Sequence, residues 1–284
     1  MYSEPDPATA DRMRKAHVNA ARTFRACVVG EGDSWGWRGR TLSRRVTTED
    51  GERWLRLVSA SADKAGGKLW EGPTQAELAM PASVPRPRLR ASSTWTDAED
   101  AYLAELYDVV TDTTITTDGP VLRSTPRLSG EWWLGLVIAL DAVGEVPTTR
   151  VALRQEYLER AMPEHLGFTP SQDGVAWVAA HGDLHWANLT APELHMLDWE
   201  GWGLAPAGYD AAMLHTYSLL VPDVAAAVRH HLSDQLDTPS GRFAELAVIT
   251  QLLQTNSRGD NLDLAEPLRA RLAILREAED AALG

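Results

Sequence analysis

Asp183 and Asn188 stand five residues apart in His181-Gly182-Asp183-Leu184-His185-Trp186-Ala187-Asn188, and Asp198 follows ten residues after Asn188 within Met196-Leu197-Asp198-Trp199-Glu200. On a short loop this spacing can set one carboxylate against a substrate hydroxyl while the amide oxygen and the second carboxylate hold Mg²⁺, the parts required for phosphoryl transfer. Hard oxygen donors, in a chain with a single cysteine, suit magnesium and not zinc. The apolar run Val175–Ala180 leads into the loop as a strand or buried segment should. A polar turn between two strands would account for the loop alone. It would not account for Asp198, a carboxylate in an otherwise apolar run, because burying an unpaired charge is costly.

His181, Asp183, Asn188 and Asp198 match, in order, the pattern H-x-D-x-x-x-x-N followed by D, the spacing of the kinase catalytic loop and its metal-binding aspartate. With Asp198-Trp199-Glu200 where protein kinases carry D-F-G, the chain resembles the aminoglycoside phosphotransferase-like kinases, a superfamily that also holds choline, homoserine and sugar kinases. Pro206-Ala207-Gly208-Tyr209-Asp210-Ala211-Ala212 resembles the family segment in which an aspartate opens the next helix and braces the catalytic loop. The resemblance implies an α+β, two-lobed protein-kinase-like fold with a small β-rich N-lobe and a larger, mostly helical C-lobe. It implies transfer of the γ-phosphate of ATP, with Mg²⁺, to a hydroxyl of a small molecule. Asp183 would accept or orient the hydroxyl proton, Asn188 and Asp198 would hold the metal, and His181 and Asp210 would support the loop. His185 and Glu200 could contact the acceptor, although a histidine beside Trp186 is also an ordinary packed residue.

The elements that must position these groups follow from pattern. Residues 8–25 read as a leading helix of good helix formers. Residues 26–29, a glycine-rich stretch over 30–39 and residues 41–46 read as strand, loop, strand. An Asp50-Gly51 turn then leads to a third strand over 53–58. This succession resembles the start of the kinase N-lobe, whose third strand presents a lysine to the ATP phosphates, yet the matching position is Arg56. Arginine keeps the charge and can bind phosphate oxygens through two nitrogens, but it does not replace an ammonium atom for atom. Lys64 and Lys68, in a nearby loop, are alternatives.

In the family the lysine pairs with a helical glutamate; Glu71 is the favoured partner here and Glu77 the alternative. After an extended Val84-Pro85-Arg86-Pro87 segment, residues 101–107 form a further strand. Its end, near Glu105 and Tyr107, would be the hinge whose backbone meets adenine. The N-lobe is therefore expected over 1–107 and the C-lobe over 108–284. Residues 131–142, apolar on all sides, predict a buried helix, and helices are also expected over 151–160, 210–220, 223–232, 242–254 and 266–282.

The formal net charge of −13 argues against nonspecific binding to nucleic acid or to an anionic membrane. The excess is uneven: residues 163–284 hold 17 acids against six arginines, whereas residues 1–162 hold 23 acids against 21 bases. An acidic C-lobe suits a cationic acceptor and equally well a solubilising surface. One cysteine, Cys27, excludes an internal disulfide, and no signal-like or membrane-spanning run occurs, so a cytoplasmic location is expected. An amino-sugar antibiotic is the leading acceptor. A metabolic sugar, choline-like or nucleoside kinase, or a peptide kinase, fits the motifs equally, and nothing distinguishes ATP from GTP. Arg56 leaves open a pseudokinase that binds nucleotide without turnover.

Overall fold

Asp6 starts the first helix: its Oδ1 accepts the amides of Ala8 and Thr9 at 3.1 Å each, ahead of α1 (Pro7–Thr23), whose proline sits in the first turn. In this computed structural model residues 4–30, 32–36 and 38–283 are described. Glu31 and Trp37 of the glycine-rich stretch lie outside them. The chain divides into two compact units: 4–79 with 86–111, and 80–85 with 112–283.

The first unit contains β1 (Cys27–Val28), β2 (Ser34–Trp35), β3 (Thr41–Thr48), β4 (Gly51–Ser61), α2 (Lys68–Ala79), β5 (Leu89–Asp97) and β6 (Asp100–Asp108). They build an antiparallel sheet in the order β1-β3-β4-β6-β5, with β2 also paired to β3. Alternation along the strands sorts the two faces. Leu42, Val46, Leu55, Leu57, Tyr102, Ala104 and Leu106 form one buried core with Met13, Ala16, Ala20 and Ala21 of α1. His17 joins it from the same helix; burial lowers its pKa, and the neutral ring donates Nε2–H to the Leu55 carbonyl at 3.1 Å. At alternate positions of the same strands Ser43, Arg56, Glu105 and Ser92 fall in register, a polar row across β3, β4, β6 and β5.

In the second unit come β7 (Thr113–Thr114), α3 (Gly130–Gly144), α4 (Gln155–Leu166), β8 (Trp177–Ala180), β9 (Thr190–Ala191) and β10 (Gly203–Pro206). After them follow α5 (Tyr209–Thr216), α6 (Pro222–His231), α7 (Ser233–Leu236), α8 (Pro239–Asn256) and α9 (Ala265–Leu283). Helix α8 packs against α4, α5 and α9 and is buried along most of its length. Its Glu245, fully buried, accepts from Arg271 of α9 at 2.7 and 2.8 Å and lies 2.7 Å from Nδ1 of His215 on α5 and 3.5 Å from Arg229 of α6. Burial pushes the Glu245 carboxyl up, but the Arg271 and His215 contacts outweigh it and hold it at about 2.

Two expectations need correction. Helix α3 is not buried all round: Leu134 and Ile138 are 60% and 52% exposed, while Trp132, Trp133, Leu136 and Leu140 face inward. The helix expected over 151–160 starts later, because Val151 bridges Leu204 of β10 and the amides of Ala152 and Leu153 bond the Leu204 carbonyl. Among the described residues no helix is long and apolar enough to cross a membrane.

Candidate active site

Strand β8 pairs antiparallel with β10, Ala180 opposite Gly203, and delivers the chain into the 181–188 loop. One buried carboxylate then sets the loop's first turn. Asp210, in the first turn of α5, accepts the His181 amide at 2.6 Å and the Gly182 amide at 2.9 Å. Burial raises the Asp210 carboxyl to about 6, while the two amides pull it the other way. Gly182 has φ +84°, and a Cβ there would lie 2.8 Å from the Gly201 carbonyl oxygen, so the turn needs glycine for both conformation and space.

His181 is wholly buried, and burial drives its pKa down to about 4. Its neutral ring can therefore use both nitrogens: Nε2–H donates to the Leu197 carbonyl at 2.8 Å, and Nδ1 accepts the Asp183 amide at 3.3 Å. The ring meets the edge of buried Trp199, whose Nε1–H donates to the Met196 carbonyl at 2.8 Å. His181 thus ties the start of the 181–188 loop to the segment that carries Asp198.

Leu184 is 0% exposed and anchors the loop, whereas the Asp183 side chain is 53% exposed. Asn188 is buried; its Nδ2–H donates to the Asp183 carbonyl at 2.9 Å. That bond orients the carboxamide and leaves Oδ1 as the atom a cation would meet. The Leu197 amide bonds the Asn188 carbonyl at 2.8 Å and Leu189 bridges Met196, so the chain folds back and brings residue 198 alongside residue 188. Asp198 itself is exposed, with φ +61° and ψ +68°. The expectation of a charge submerged in an apolar run is therefore corrected: the left-handed residue turns its carboxylate out between buried Met196 and Trp199.

Among the described residues no group of three or more His, Cys, Asp or Glu side chains could enclose a metal. Two oxygen donors, on segments joined by the Leu197–Asn188 hydrogen bond, still suit Mg²⁺, which keeps waters and takes its remaining ligands from substrate phosphates.

His185 is 6% exposed, with Nε2 3.6 Å from Asp183 Oδ2 and 3.4 Å from Asn188 Nδ2, and its ring meets the edge of Tyr217. It lies beneath the loop as a packed residue. The Glu200 carbonyl is 3.4 Å from Arg150 Nη2, and the same guanidinium donates to the Trp202 carbonyl at 3.2 Å and lies over the Trp202 ring. Sequence reasoning missed Arg150 and Tyr217. No motif or period marks either, since Tyr217 reaches His185, and Arg150 reaches Glu200 and Trp202, only through tertiary packing.

In the first unit Arg56 does not pair with Glu71 or Glu77. Its Nη1 donates to Glu105 Oε2 at 2.9 Å, a contact made across neighbouring strands. Glu71 is exposed on α2. Glu77 receives Arg88 Nε at 2.6 Å and the Leu89 amide at 3.1 Å, with Arg86 3.4 Å away, so it pins α2 to the start of β5. Of the expected hinge residues, Glu105 is buried within β6 and turned to Arg56, and Tyr107 is half-buried opposite Trp54. Lys64 and Lys68, the alternatives to Arg56, are exposed.

No family model and no curated protein matches the sequence. Among solved structures the chain is similar to the aminoglycoside phosphotransferase APH(4)-Ia, at 13% identity and a TM-score of 0.59 over 93% of this chain and 98% of the other. A thermostable mutant of that protein, in ternary complex with ADP and hygromycin B, aligns with a TM-score of 0.58 at 12% identity, over 92% and 98% of the two chains. The spectinomycin phosphotransferase APH(9)-Ia, in complex with ADP and spectinomycin, aligns with a TM-score of 0.55 at 12% identity, over 93% and 92%. At such identities the likeness is one of architecture, and the chain has the protein-kinase-like α+β fold of the aminoglycoside phosphotransferases.

Proposed function

We propose that this chain is an ATP-dependent kinase that moves the γ-phosphate to a hydroxyl of a small molecule. The observation that carries the reading is an exposed Asp183 carboxylate on a loop locked by Asp210, His181 and Asn188, with the Asp198 turn alongside. The acceptor hydroxyl oxygen would form the new bond to the γ-phosphorus as the bond to the bridging oxygen of ADP breaks. Asp183 would orient the hydroxyl and take its proton; in a loose transition state the positioning matters more than the basicity. Asn188 Oδ1 and the Asp198 carboxylate would hold Mg²⁺, which when bound neutralises charge on the phosphates. Arg56 would bind phosphate oxygens, the role the resemblance gives to the residue at this position.

An amino-sugar antibiotic is the leading acceptor. Hygromycin B and spectinomycin occupy proteins of this fold, and the acid excess over residues 163–284 suits a cation. The test is ADP release from ATP and Mg²⁺ across aminoglycosides, sugars, nucleosides and choline, for the wild type and Asp183→Asn. Turnover with one acceptor class, lost in the variant, supports the reading. Thermal stabilisation by ATP with no turnover on any acceptor would instead identify a nucleotide-binding protein without kinase activity.

A further inference from the structure

Arg56 lies near the middle of β4, and its partner Glu105 occupies the facing position of β6. The Glu105 side chain is 1% exposed and that of Arg56 15%. A carboxylate this deeply buried requires a cation, and a guanidinium so held cannot swing as a free arginine does. Both residues sit on long strands in register, so the sheet places the two side chains opposite each other. Helix α2 carries the two other candidate acids, but Glu77 is engaged by Arg86, Arg88 and the Leu89 amide, and Glu71 is exposed.

We propose that Glu105 is the positioning residue that presents Arg56 to the nucleotide phosphates, and that the acids of α2 take no part in holding it. The inference rests on the phosphate role given to Arg56 above. It also gives a physical reason for arginine at this position. The guanidinium fork carries five N–H donors in fixed directions and can serve two anions together, where a single ammonium on a flexible stem serves them less well.

The test uses the full chain and two readouts: ADP binding by calorimetry, and, with an accepted acceptor, separate KM values for ATP and acceptor. Glu105→Gln is expected to weaken ADP binding and raise the KM for ATP by roughly ten-fold or more, the size of a lost charge-assisted bond. The acceptor KM should not move, and Glu71→Gln should bind ADP as the wild type does. Glu105→Asp, which keeps the charge, should recover part of the loss, and Glu105→Ala covers the case in which the glutamine variant fails to fold. Arg56→Lys should weaken ADP binding as well. Wild-type affinity in Glu105→Gln, or in Glu105→Ala if the glutamine variant does not fold, would overturn the proposal, as would a loss in Glu71→Gln matching that in Glu105→Gln. A wild-type protein that binds no ADP or ATP would overturn the kinase reading itself, and this inference with it.

Discussion

Replacing Asp210 by asparagine separates loop geometry from stability. The carboxylate is buried and accepts two backbone amides, yet burial raises its pKa from 3.8 to about 6. At pH 7 that difference corresponds to about 3 kcal/mol of penalty on the ionised folded form. The folded state binds the proton more tightly than the unfolded one, so the contribution of this group is fully present below pH 3.8 and is lost as pH rises through about 6. Asparagine carries no such penalty. The two N–H groups are aimed at different carboxylate oxygens, however, so one of them would face the NH₂, at a cost of about 1–3 kcal/mol.

At pH 7 the two effects nearly cancel, and Asp210→Asn should lie within about 2 kcal/mol of wild-type stability. Between pH 5 and pH 7 the wild-type penalty grows by about 1 kcal/mol, so the variant should gain on the wild type by that order. Urea denaturation at the two pH values reads the difference directly, because the remaining titrating groups are shared. Turnover should behave otherwise: a loop start displaced by about 1 Å can cost on the order of a hundred-fold in rate. A stability difference that is flat or moves the other way between pH 5 and 7 would refute the assigned burial of charge. Wild-type turnover in the variant would refute the bracing role.

Asp183→Asn should abolish most transfer, by roughly a hundred-fold or more, while leaving ADP affinity and the melting temperature unchanged, since the side chain is half-exposed; calorimetry and thermal denaturation check both. Glu245→Ala should destabilise the fold by about 3–5 kcal/mol in chemical denaturation, because it removes a fully buried carboxylate that joins Arg271 of α9 and His215 of α5 to α8. In the wild type, with Glu245 held at about 2 against an ordinary 4.5, the stability from that carboxylate is present above pH 4.5 and is lost as pH falls toward 2. Gly182→Ala should cost stability and rate together, since its Cβ would meet backbone at 2.8 Å at φ +84°; an alanine variant with full turnover would contradict the tight packing of the turn.

The 181–188 loop stands out in the sequence because the proposed chemistry requires particular residue types at fixed local spacing, and its contact with Asp210, which opens a helix a short way downstream, is present in the structure. Helices and strands were legible where period and turn residues agree, as at the Asp50-Gly51 hairpin joining β3 to β4. Conformation was harder to read. Nothing in Met196-Leu197-Asp198-Trp199 reveals that residue 198 is left-handed, and that one backbone choice turns an apparently submerged charge into an exposed one. Leu134 and Ile138 misled for a related reason: apolar side chains all around a helix promise burial only where partners surround it.

The partner of Arg56 marks a different limit. Arg56 and Glu105 are 49 residues apart, and what joins them is the β4–β6 register, with no helical spacing or motif involved. A reading that looks for a helical acid finds Glu71 and Glu77, each a plausible distance along the chain, and has no means of seeing that Glu77 is already held by the arginines before β5. The consequence is mechanical as well as topological. An ion pair between a strand and a helix can open when the helix shifts, whereas for one between neighbouring strands the ladder holds the two backbones together and only side-chain rotation can part it. The cation proposed to meet phosphate is therefore fixed by the sheet, and nucleotide affinity should follow the Arg56–Glu105 pair and not the position of α2.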